Sequence, residues 1–364
     1  MRRLILLGVA VWAYANIFAG STTKHSMDIK GDFAKTHQCI RCHLDIYDEY
    51  KTSPHFNSTI YRDPVHKKIF ELHAKASKAK EYVCAKCHTP TLKDKRIASM
   101  DPKKFGYEQA ISCAYCHRIK SIEKHAKANK NEILPKKGVY YGTRNPEVRS
   151  EYHKIINTNP IHKNGETCMG CHSHKQNEHG FVVCQTENNN TLKQNCITCH
   201  MPQVEGNLSD RVETPTHAFH GFAGVSIKPE FLAKYLHIDL IKKDPLQIRL
   251  TNDAPHAFLL HPLRLAKLIV KHKRGGKLLK EQELTFVRII GKDGKPTPPW
   301  VATEVVKDTM LKAGEKRVVT FDLHPKKGYT IEIIFGFYKV NPKMAKKFGL
   351  PTKFIVFKKK EFHV

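Results

Sequence analysis

Alternation of hydrophobic and polar residues is concentrated in the last third of the chain. From about residue 227, short segments rich in β-branched and aromatic residues are separated by Gly- and Pro-rich breakers such as Gly275-Gly276. Seven strands are predicted, at Tyr235–Ile241, Leu246–Thr251, Leu263–His272, Leu284–Ile290, Arg317–Leu323, Tyr329–Tyr338 and Phe354–Phe357. This spacing predicts an antiparallel β-sandwich of immunoglobulin-like architecture over residues 227–364.

The first 20 residues have the pattern of a secretory signal peptide. Arg2-Arg3 precedes an apolar run from Leu4 to Ala19 that only Asn16 interrupts, and small residues follow. The run is about 16 residues long, short of the roughly 20 needed to span a bilayer. Cleavage is therefore favoured over the alternative, an uncleaved anchor. Both alternatives predict a periplasmic protein, either free or anchored and facing the periplasm.

Residues 21–226 contain few long apolar periodic segments but five copies of Cys-x-x-Cys-His. We number the copies motif 1 (Cys39, Cys42, His43), motif 2 (Cys84, Cys87, His88), motif 3 (Cys113, Cys116, His117), motif 4 (Cys168, Cys171, His172) and motif 5 (Cys196, Cys199, His200). The pattern is the c-type haem attachment signature. Two cysteines three residues apart lie on one side of a helical turn and reach the two vinyl groups of one porphyrin, and the next residue presents an imidazole to the iron.

Zinc binding and dithiol redox chemistry are the alternatives for these motifs. Zinc pairs do not require a histidine beside every second cysteine, and a redox dithiol needs only one copy in a thioredoxin-like setting. Five copies, together with an export signal, favour five covalently bound haem c groups. The prediction is an α+β multidomain protein: a mainly helical and irregular haem-packed domain over residues 21–226, followed by the β-sandwich. The histidines of motifs 2 and 3 are 29 residues apart, and those of motifs 4 and 5 are 28 residues apart. The haems at each of these two pairs of motifs are expected to lie close together.

Motif 1 and the residues after it resemble the first haem segment of the cytochrome c-554 family. Tyr50 and then Ser53-Pro54-His55 follow motif 1, where that family has an aromatic residue and a Ser/Thr-x-His. The resemblance implies that His55 is a distal ligand to another haem. It also implies, through a looser match after motif 3, that His125 is the distal ligand of the first haem.

Residues 138–222 resemble a block that recurs in multihaem cytochromes. In that block a histidine about six residues before the fourth motif, and a His-x-Phe segment after a Cys-His-Met-Pro motif, are haem ligands. His162 and His217 match these positions, with His153 and His220 as rivals. The predicted metal ligands are thus the five motif histidines together with His55, His125, His153, His162 and His217. The sequence departs from the block at Cys184, for which a buried free thiol is the simplest interpretation.

Other histidines are weaker candidates for ligands. His66 and His73 share one face of a helix predicted over Pro64–Lys80, and that face is suited to covering a haem. The tract from Thr251 to Arg264 resembles a β-domain appended to some multihaem cytochromes, whose matching histidine faces the haem domain. His256 or His261 is the matching residue here, although a surface or interface histidine is the default interpretation.

Positive charge is concentrated in the predicted β-domain. The whole chain carries a formal charge of +28, of which residues 1–226 supply +12 and residues 227–364 supply +16. Ten haem propionates bring roughly −10 to the first part. The β-domain is then the basic module, with a solvated surface as the simple interpretation and a docking face for acidic redox partners or anionic lipid as the alternative. Nucleic acid is excluded by the export signal.

Two functions fit these residues. The favoured one is an electron carrier with bis-His haems that connects a membrane quinol-oxidising cytochrome and a terminal reductase. The other is a reductase or oxidase of a small nitrogen or sulfur compound at one haem with an open axial position, for which His88 is the candidate. Five haems also occur in ammonia-forming nitrite reductase, but the Cys-x-x-Cys-Lys motif typical of that family is absent here. A β-module that uses haems only as structural staples is the weakest alternative.

Overall fold

The computed structural model describes residues 33–101, 110–143, 150–186, 188 and 193–364. The signal-like segment over residues 1–20 lies outside the described residues. Within them, none of the helices has the length and apolar character needed to cross a membrane.

Before residue 227 the described chain is built from short elements. The helices are α1 (Thr36–Cys39), α2 (Leu44–Tyr50), α3 (Pro64–Ser77), α4 (Ala85–His88), α5 (Cys113–Cys116), α6 (Met169–His172) and α7 (Cys196–His200), with 3-10 turns at Ile97–Ser99, Pro160–His162 and Glu166–Cys168. The strands are β1 (Ile119–Glu123), β2 (Lys130–Ile133), β3 (Val139–Tyr141), β4 (Lys154–Ile156), β5 (His174–Gln176), β6 (Val182–Gln185), β7 (Gln203–Glu205) and β8 (Thr216–Ala218). They pair as β1–β2, β5–β6 and β7–β8, all antiparallel, and as parallel β3–β4. The prediction missed these small sheets, because strands of three to five residues are too short for alternation to stand out.

The helix α3 shows how local signals position this part of the chain. The Asp63 carboxylate accepts hydrogen bonds from the backbone N–H groups of Val65 and His66, which caps the N-terminus. Lys78 ends the helix in the left-handed conformation. The buried ring of Phe70 packs edge-on against Tyr82, with ring centroids 4.9 Å apart. Apolar clusters in this part of the chain are small, so the protein side chains alone supply only a limited core.

After residue 227 the chain forms extended antiparallel sheets. The strands are β9 (Leu236–Lys242), β10 (Leu246–Asn252), β11 (Leu265–Arg274), β12 (Lys277–Phe286), β13 (Arg288–Lys292), β14 (Lys295–Pro296), β15 (Glu304–Asp308), β16 (Lys316–Phe321), β17 (Tyr329–Tyr338) and β18 (Phe354–His363); 3-10 turns lie at Pro229–Phe231 and Ala233–Tyr235, and helix α8 spans Pro342–Phe348. The sheet orders are β16-β10-β9, β12-β11-β17-β18 and β14-β13-β15. The first two sheets contribute to one apolar core, in which Ile248 and Leu250 meet Leu268 and Phe335.

Two of the predicted strands differ from the observed ones by more than two residues. The predicted strand Leu284–Ile290 is divided between β12 and β13. Residues 277–283 of β12 were missed because they are mostly exposed and lack apolar alternation, and their pairing with β11 defines them as a strand. β18 continues past its predicted end at Phe357. The Lys360 ammonium in this extension donates a 2.6 Å hydrogen bond to the Ile238 carbonyl, and Lys358 donates to the Leu236 carbonyl.

The first part of the chain is in contact with the β-sheets. Val183 is buried in a small cluster with Ile290 and Ala302. The Asn177 side chain donates hydrogen bonds to the carbonyls of Pro299 and Ala302, at 2.8 and 2.7 Å. These contacts bring the segment after motif 4 against the loop between β14 and β15.

Candidate haem-binding site

Each motif is folded into a single helical turn. The backbone N–H of the motif histidine donates to the carbonyl of the first cysteine at 3.1 Å in motifs 1 and 2 and at 3.0 Å in motif 3. Motifs 4 and 5 end in the helices α6 and α7. This i to i−4 bond places both sulfurs and the imidazole on one turn. Such a turn is the local geometry that thioether attachment requires.

Four of the five motif histidines are oriented through one ring nitrogen. The Nδ1–H group donates to a backbone carbonyl in His43 (Leu208, 2.8 Å), His88 (Ser58, 3.2 Å), His117 (Tyr141, 2.7 Å) and His200 (Ala223, 2.7 Å). A carbonyl can only accept, so this bond fixes the neutral tautomer. The Nε2 lone pair is left available for a metal.

A second histidine ring faces the motif histidine in four of the five motifs. The ring centroids are 6.4 Å apart for His43 and His153, 6.0 Å for His172 and His55, 6.2 Å for His117 and His220, and 6.2 Å for His200 and His256. A metal–imidazole bond is about 2 Å long. Two such bonds, plus the offset from each nitrogen to its ring centre, give a separation of about 6 Å. The spacing therefore fits one iron between two axial imidazoles.

The electrostatics of these rings favour the ligating form. Burial lowers the pKa of His55, His88 and His220 to about 3, and that of His172 to about 4. These imidazoles are neutral at physiological pH, and neutral imidazole is the form that binds a metal. Among the described residues, no group of three or more His, Cys, Asp or Glu side chains is arranged to hold a bare metal ion.

Motif 2 differs from the other four. The ring closest to His88 is His66, with centroids 3.9 Å apart, too close for an iron between them. Two hydrogen bonds hold His66 in place: its Nδ1–H donates to the Ser58 carbonyl at 2.9 Å, and its Nε2 accepts from the Tyr82 hydroxyl at 3.2 Å. Across the described part of the chain, no histidine ring faces His88 at the spacing seen in the other motifs.

Three predicted distal ligands do not face a motif histidine. The His125 Nδ1 accepts a hydrogen bond from the Lys127 N–H in an exposed turn. His162 is buried, with Nε2 2.8 Å from the Ile119 carbonyl. His217 is also buried, and its Nε2 lies 3.2 Å from the Glu49 carboxylate. The other two predicted distal ligands, His55 and His153, do face motif rings. His220, the rival of His217, and His256 face the rings of His117 and His200.

The remaining candidates are placed elsewhere. His73 packs edge-on against Trp300 of the β-domain, with ring centroids 5.4 Å apart. His261 is desolvated, and burial together with the Arg264 charge lowers its pKa to about 4. Cys184 lies in β6 opposite Lys175, and burial raises the pKa of its thiol.

Comparison with known proteins gives two findings that bear on this geometry. The family model "Cytochrome c554 and c-prime" matches residues 38–118, which contain motifs 1 to 3. The fold is similar to that of a penta-heme cytochrome c552 from Thermochromatium tepidum, with a TM-score of 0.68 and 21% sequence identity over 91% of this chain and 98% of that one. The chain is a multihaem c-type cytochrome. Its resemblance to the cytochrome c-554 family is thereby confirmed, and electron transfer is the general activity of such proteins.

Two further comparisons add nothing to this identification. A β-glucuronidase 2 from Bacteroides uniformis aligns with 35% of the present chain at a TM-score of only 0.18. No curated protein matches the sequence.

The motifs of the cytochrome lie close to one another in a branched order. His43 lies close enough to His117 for its charge to lower the pKa of His117, which links motif 1 to motif 3. Cys116 is within reach of Cys168 and Cys171, which links motif 3 to motif 4. Motif 4 has two further neighbours: the thiols of Cys171 and Cys87 are within hydrogen-bond distance, as are those of Cys168 and Cys196. Motif 4 is therefore in contact with motifs 2 and 5.

Proposed function

We propose that this protein is an exported pentahaem cytochrome that transfers electrons between respiratory redox partners. Five covalently bound haem c groups occupy the five motifs, and the iron of each is the redox-active group. The observation that carries the proposal is the pairing of His43, His117, His172 and His200 with second rings at 6.0–6.4 Å. Bis-His ligation of these four haems gives six-coordinate, low-spin electron carriers.

The axial pairs in this proposal are His43 with His153, His117 with His220, His172 with His55, and His200 with His256. They replace His125, His162 and His217 as distal ligands. The residues around each pair set its electronic properties through hydrogen bonds to Nδ1 and through burial. The branched contact order of the motifs supports an electron path from motif 1 through motifs 3 and 4, with branches to motifs 2 and 5.

The partners in this proposal are a membrane quinol-oxidising cytochrome and a terminal reductase. The protein acts in the periplasm, free or anchored by its N-terminal segment, as its signal-like first 20 residues indicate. Its haem-binding domain covers residues 21–226 and its β-domain residues 227–364. The three-stranded sheet β16-β10-β9 and the four-stranded sheet β12-β11-β17-β18 have the strand numbers expected of an immunoglobulin-like sandwich. The +16 charge of the β-domain suits an acidic partner or an anionic membrane surface.

Motif 2 supports a second candidate function. His88 is oriented by Ser58 as the other motif histidines are oriented by their carbonyls, yet no described histidine faces it across the width of an iron. A haem with only one protein ligand has a free position for a small nitrogen or sulfur compound. The candidate activity is reduction or oxidation of such a compound at this haem, with electrons delivered through motif 4.

Haem counting and spin-state spectroscopy test both candidates. The pyridine haemochrome assay and intact mass are expected to give five haems per chain. Electron paramagnetic resonance of the oxidised protein, with near-infrared magnetic circular dichroism, is expected to show four bis-His low-spin haems and one high-spin haem. Fewer than four bis-His haems would contradict the proposed carrier.

The fifth haem decides between carrier and enzyme. A high-spin signal that shifts with nitrite, hydroxylamine, sulfite or nitric oxide supports the enzyme. Five low-spin signals would exclude it. His88→Ala is expected to change the high-spin signal, because that haem loses its one protein ligand, and to leave the four low-spin signals. His66→Ala is expected to leave all five haems ligated as in the native protein.

A further inference from the structure

One backbone carbonyl at motif 2 accepts hydrogen bonds from two histidines. The Ser58 carbonyl oxygen lies 3.2 Å from Nδ1 of His88 and 2.9 Å from Nδ1 of His66. A carbonyl oxygen can only accept, so both rings donate an N–H group to it. The Ser58 hydroxyl donates in turn to the His88 carbonyl at 2.7 Å, which holds Ser58 beside the motif. The acceptor that orients the motif histidine is therefore shared with a second ring.

The bond from His88 is the longest of its kind in the four oriented motif histidines. The corresponding distances are 2.8 Å for His43, 2.7 Å for His117 and 2.7 Å for His200. Hydrogen bonds weaken as the distance between donor and acceptor increases over this range. Because the Ser58 oxygen already accepts the shorter bond from His66, it binds the His88 donor less strongly.

Tyr82 fixes His66 as a donor to this carbonyl. Burial lowers the pKa of His66, so the ring is neutral and carries one N–H group. The Tyr82 hydroxyl donates to Nε2 at 3.2 Å, which leaves the proton on Nδ1, facing Ser58. Tyr82 has no exposed surface, its ring packs against Phe70, and its carbonyl accepts from the Ala85 N–H at 3.1 Å. The hydroxyl therefore has little freedom to leave His66.

His66 belongs to the same side of the site as the motif histidine. Its ring is in contact with that of His88, at a centroid distance of 3.9 Å and an angle of 37°. The backbone of His66 is held as well, since its N–H donates to the Asp63 carboxylate at the start of α3, at 3.1 Å. His66 is thus placed to act on the motif histidine and not to occupy the axial position opposite it.

We propose that His66 and Tyr82 are positioning residues that raise the reduction potential of the haem at motif 2 by weakening the hydrogen bond from His88 to Ser58. This inference rests on the proposed function, in which His88 is the one protein ligand of that haem. A strong bond from Nδ1–H makes a proximal imidazole a better electron donor and stabilises ferric iron. A weaker bond has the opposite effect, so electrons supplied through motif 4 collect at the haem with the open position.

Four variants of the haem-loaded protein test this role. His66→Leu removes the competing donor, whereas His66→Asn is the conservative variant because its amide keeps an N–H group near the position of Nδ1. His73→Leu is the matched control, since His73 lies seven residues further along α3 and packs against Trp300. Tyr82→Phe removes only the hydroxyl and provides the comparison if His66→Leu does not fold.

Two measurements report on the iron rather than on overall stability. Potentiometric titration of the high-spin signal, followed by electron paramagnetic resonance, gives the potential of the haem at motif 2. Resonance Raman spectroscopy of the reduced protein gives its iron–histidine stretching frequency, to which haems with two axial histidines do not contribute. His66→Leu is expected to shift the equilibrium about tenfold toward ferric iron, a potential lower by about 59 mV, and to raise the stretching frequency.

The other variants make the result specific. Tyr82→Phe is expected to shift both quantities in the same direction by less, because His66 can then adopt the tautomer that does not donate to Ser58. His66→Asn and His73→Leu are expected to behave as the native protein does. A native potential and frequency in both His66→Leu and Tyr82→Phe would overturn the proposal. An equal shift in His73→Leu would also overturn it, because the effect would then be a displacement of α3.

The proposed function is tested separately by the native protein. Five low-spin haems there would contradict the open position at motif 2. The shift in the potential of one haem between the native protein and His66→Leu would still test the shared hydrogen bond. A change of spin state in His66→Leu would show that His66 itself binds the iron, and would overturn its assignment as a positioning residue.

Discussion

The rings of His200 and His256 are stacked at an angle of 18°, with centroids 6.2 Å apart, and they come from different domains of the proposed division. His200 belongs to motif 5, whereas His256 lies in the segment between β10 and β11. Both are oriented by hydrogen bonds from Nδ1 to backbone carbonyls, of Ala223 at 2.7 Å and Ala257 at 3.0 Å. In the proposed division and axial pairing, the β-domain therefore supplies the second ligand of the haem at motif 5.

Replacement of His256 tests this relationship directly. His256→Ala is expected to convert one low-spin haem to high spin, because the iron bound by His200 loses its second imidazole. Electron paramagnetic resonance of the oxidised protein measures the change. His237→Ala is the control, since His237 is exposed and pairs with Asp253 at 2.6 Å. An unchanged low-spin signal in His256→Ala would refute the cross-domain ligand.

Glu49 is expected to position the distal ligand at motif 3. Its carboxylate accepts a 2.7 Å hydrogen bond from the backbone N–H of His220, whose ring faces His117. Glu49→Gln replaces a charged acceptor with a neutral one and is expected to reduce stability by about 1 kcal/mol. Thermal unfolding measures the loss, and the g-values of one low-spin haem are expected to shift. The exposed Glu230, with its ammonium partner Lys228 3.9 Å away, provides the control variant Glu230→Gln. Equal behaviour of the two variants would count against a positioning role.

Gly170 is expected to be required for packing at motif 4. A Cβ atom at this position would lie 1.7 Å from the Asn131 side-chain oxygen. The Asn131 amide also donates to the Tyr115 hydroxyl at 2.9 Å and to the Cys171 sulfur at 3.5 Å, so it has little freedom to move. Gly170→Ala is expected to cost about 1 to 3 kcal/mol and to lower haem incorporation at motif 4.

The control for this prediction is Gly224→Ala, where the nearest atom to an added Cβ is 3.7 Å away. Urea unfolding and haem content of the two variants are compared. A Gly170→Ala protein as stable and as fully loaded as Gly224→Ala would show that Asn131 can be displaced at little cost.

The β-domain is expected to lose stability in acid through Glu332. Hydrogen bonds from the ammonium groups of Lys273 and Lys359 lower the pKa of this buried carboxyl to about 2 from its usual 4.5. A lowered native pKa means that the folded state binds the proton less tightly than the unfolded state does. The contribution is therefore fully present above pH 4.5 and is lost as the pH falls through about 2.

Glu332→Gln is expected to be less stable than the native protein at pH 7, and the difference is expected to shrink below pH 4.5. Urea unfolding followed by tryptophan fluorescence at several pH values measures it. Glu281→Gln serves as the control, because Glu281 is partly exposed and its partner Lys271 is 3.7 Å away. A difference independent of pH would contradict the ionic origin of the effect.

The predicted strands show which strands the local sequence pattern can identify. β10 and β17 were predicted within one residue of their observed bounds, because buried strands carry continuous or alternating apolar residues. Most of β12 was not, because residues 277–283 are mostly exposed and lack apolar alternation, and only pairing with β11 makes them a strand. The extension of β18 was missed for a related reason. Lys358 and Lys360 look like solvated surface in sequence but donate hydrogen bonds to carbonyls in and beside the neighbouring strand β9.

The sequence by itself determined the haem attachment motifs and the class of protein, because cysteine spacing and the adjacent histidine act within one helical turn and need no distant partner. For the second axial histidines the sequence supplied candidates, of which His55 and His153 face motif histidines, and the choice among the other candidates depended on the tertiary structure. His162 and His217 match sequence positions of known ligands, yet their rings are held by Ile119 and near Glu49, while His220 and His256 reach the facing positions. A distal ligand is defined by the distance in space between its ring and the motif histidine. In the four facing pairs the two histidines are 56 to 117 residues apart in sequence. That distance depends on how separate segments pack, which a local pattern does not encode.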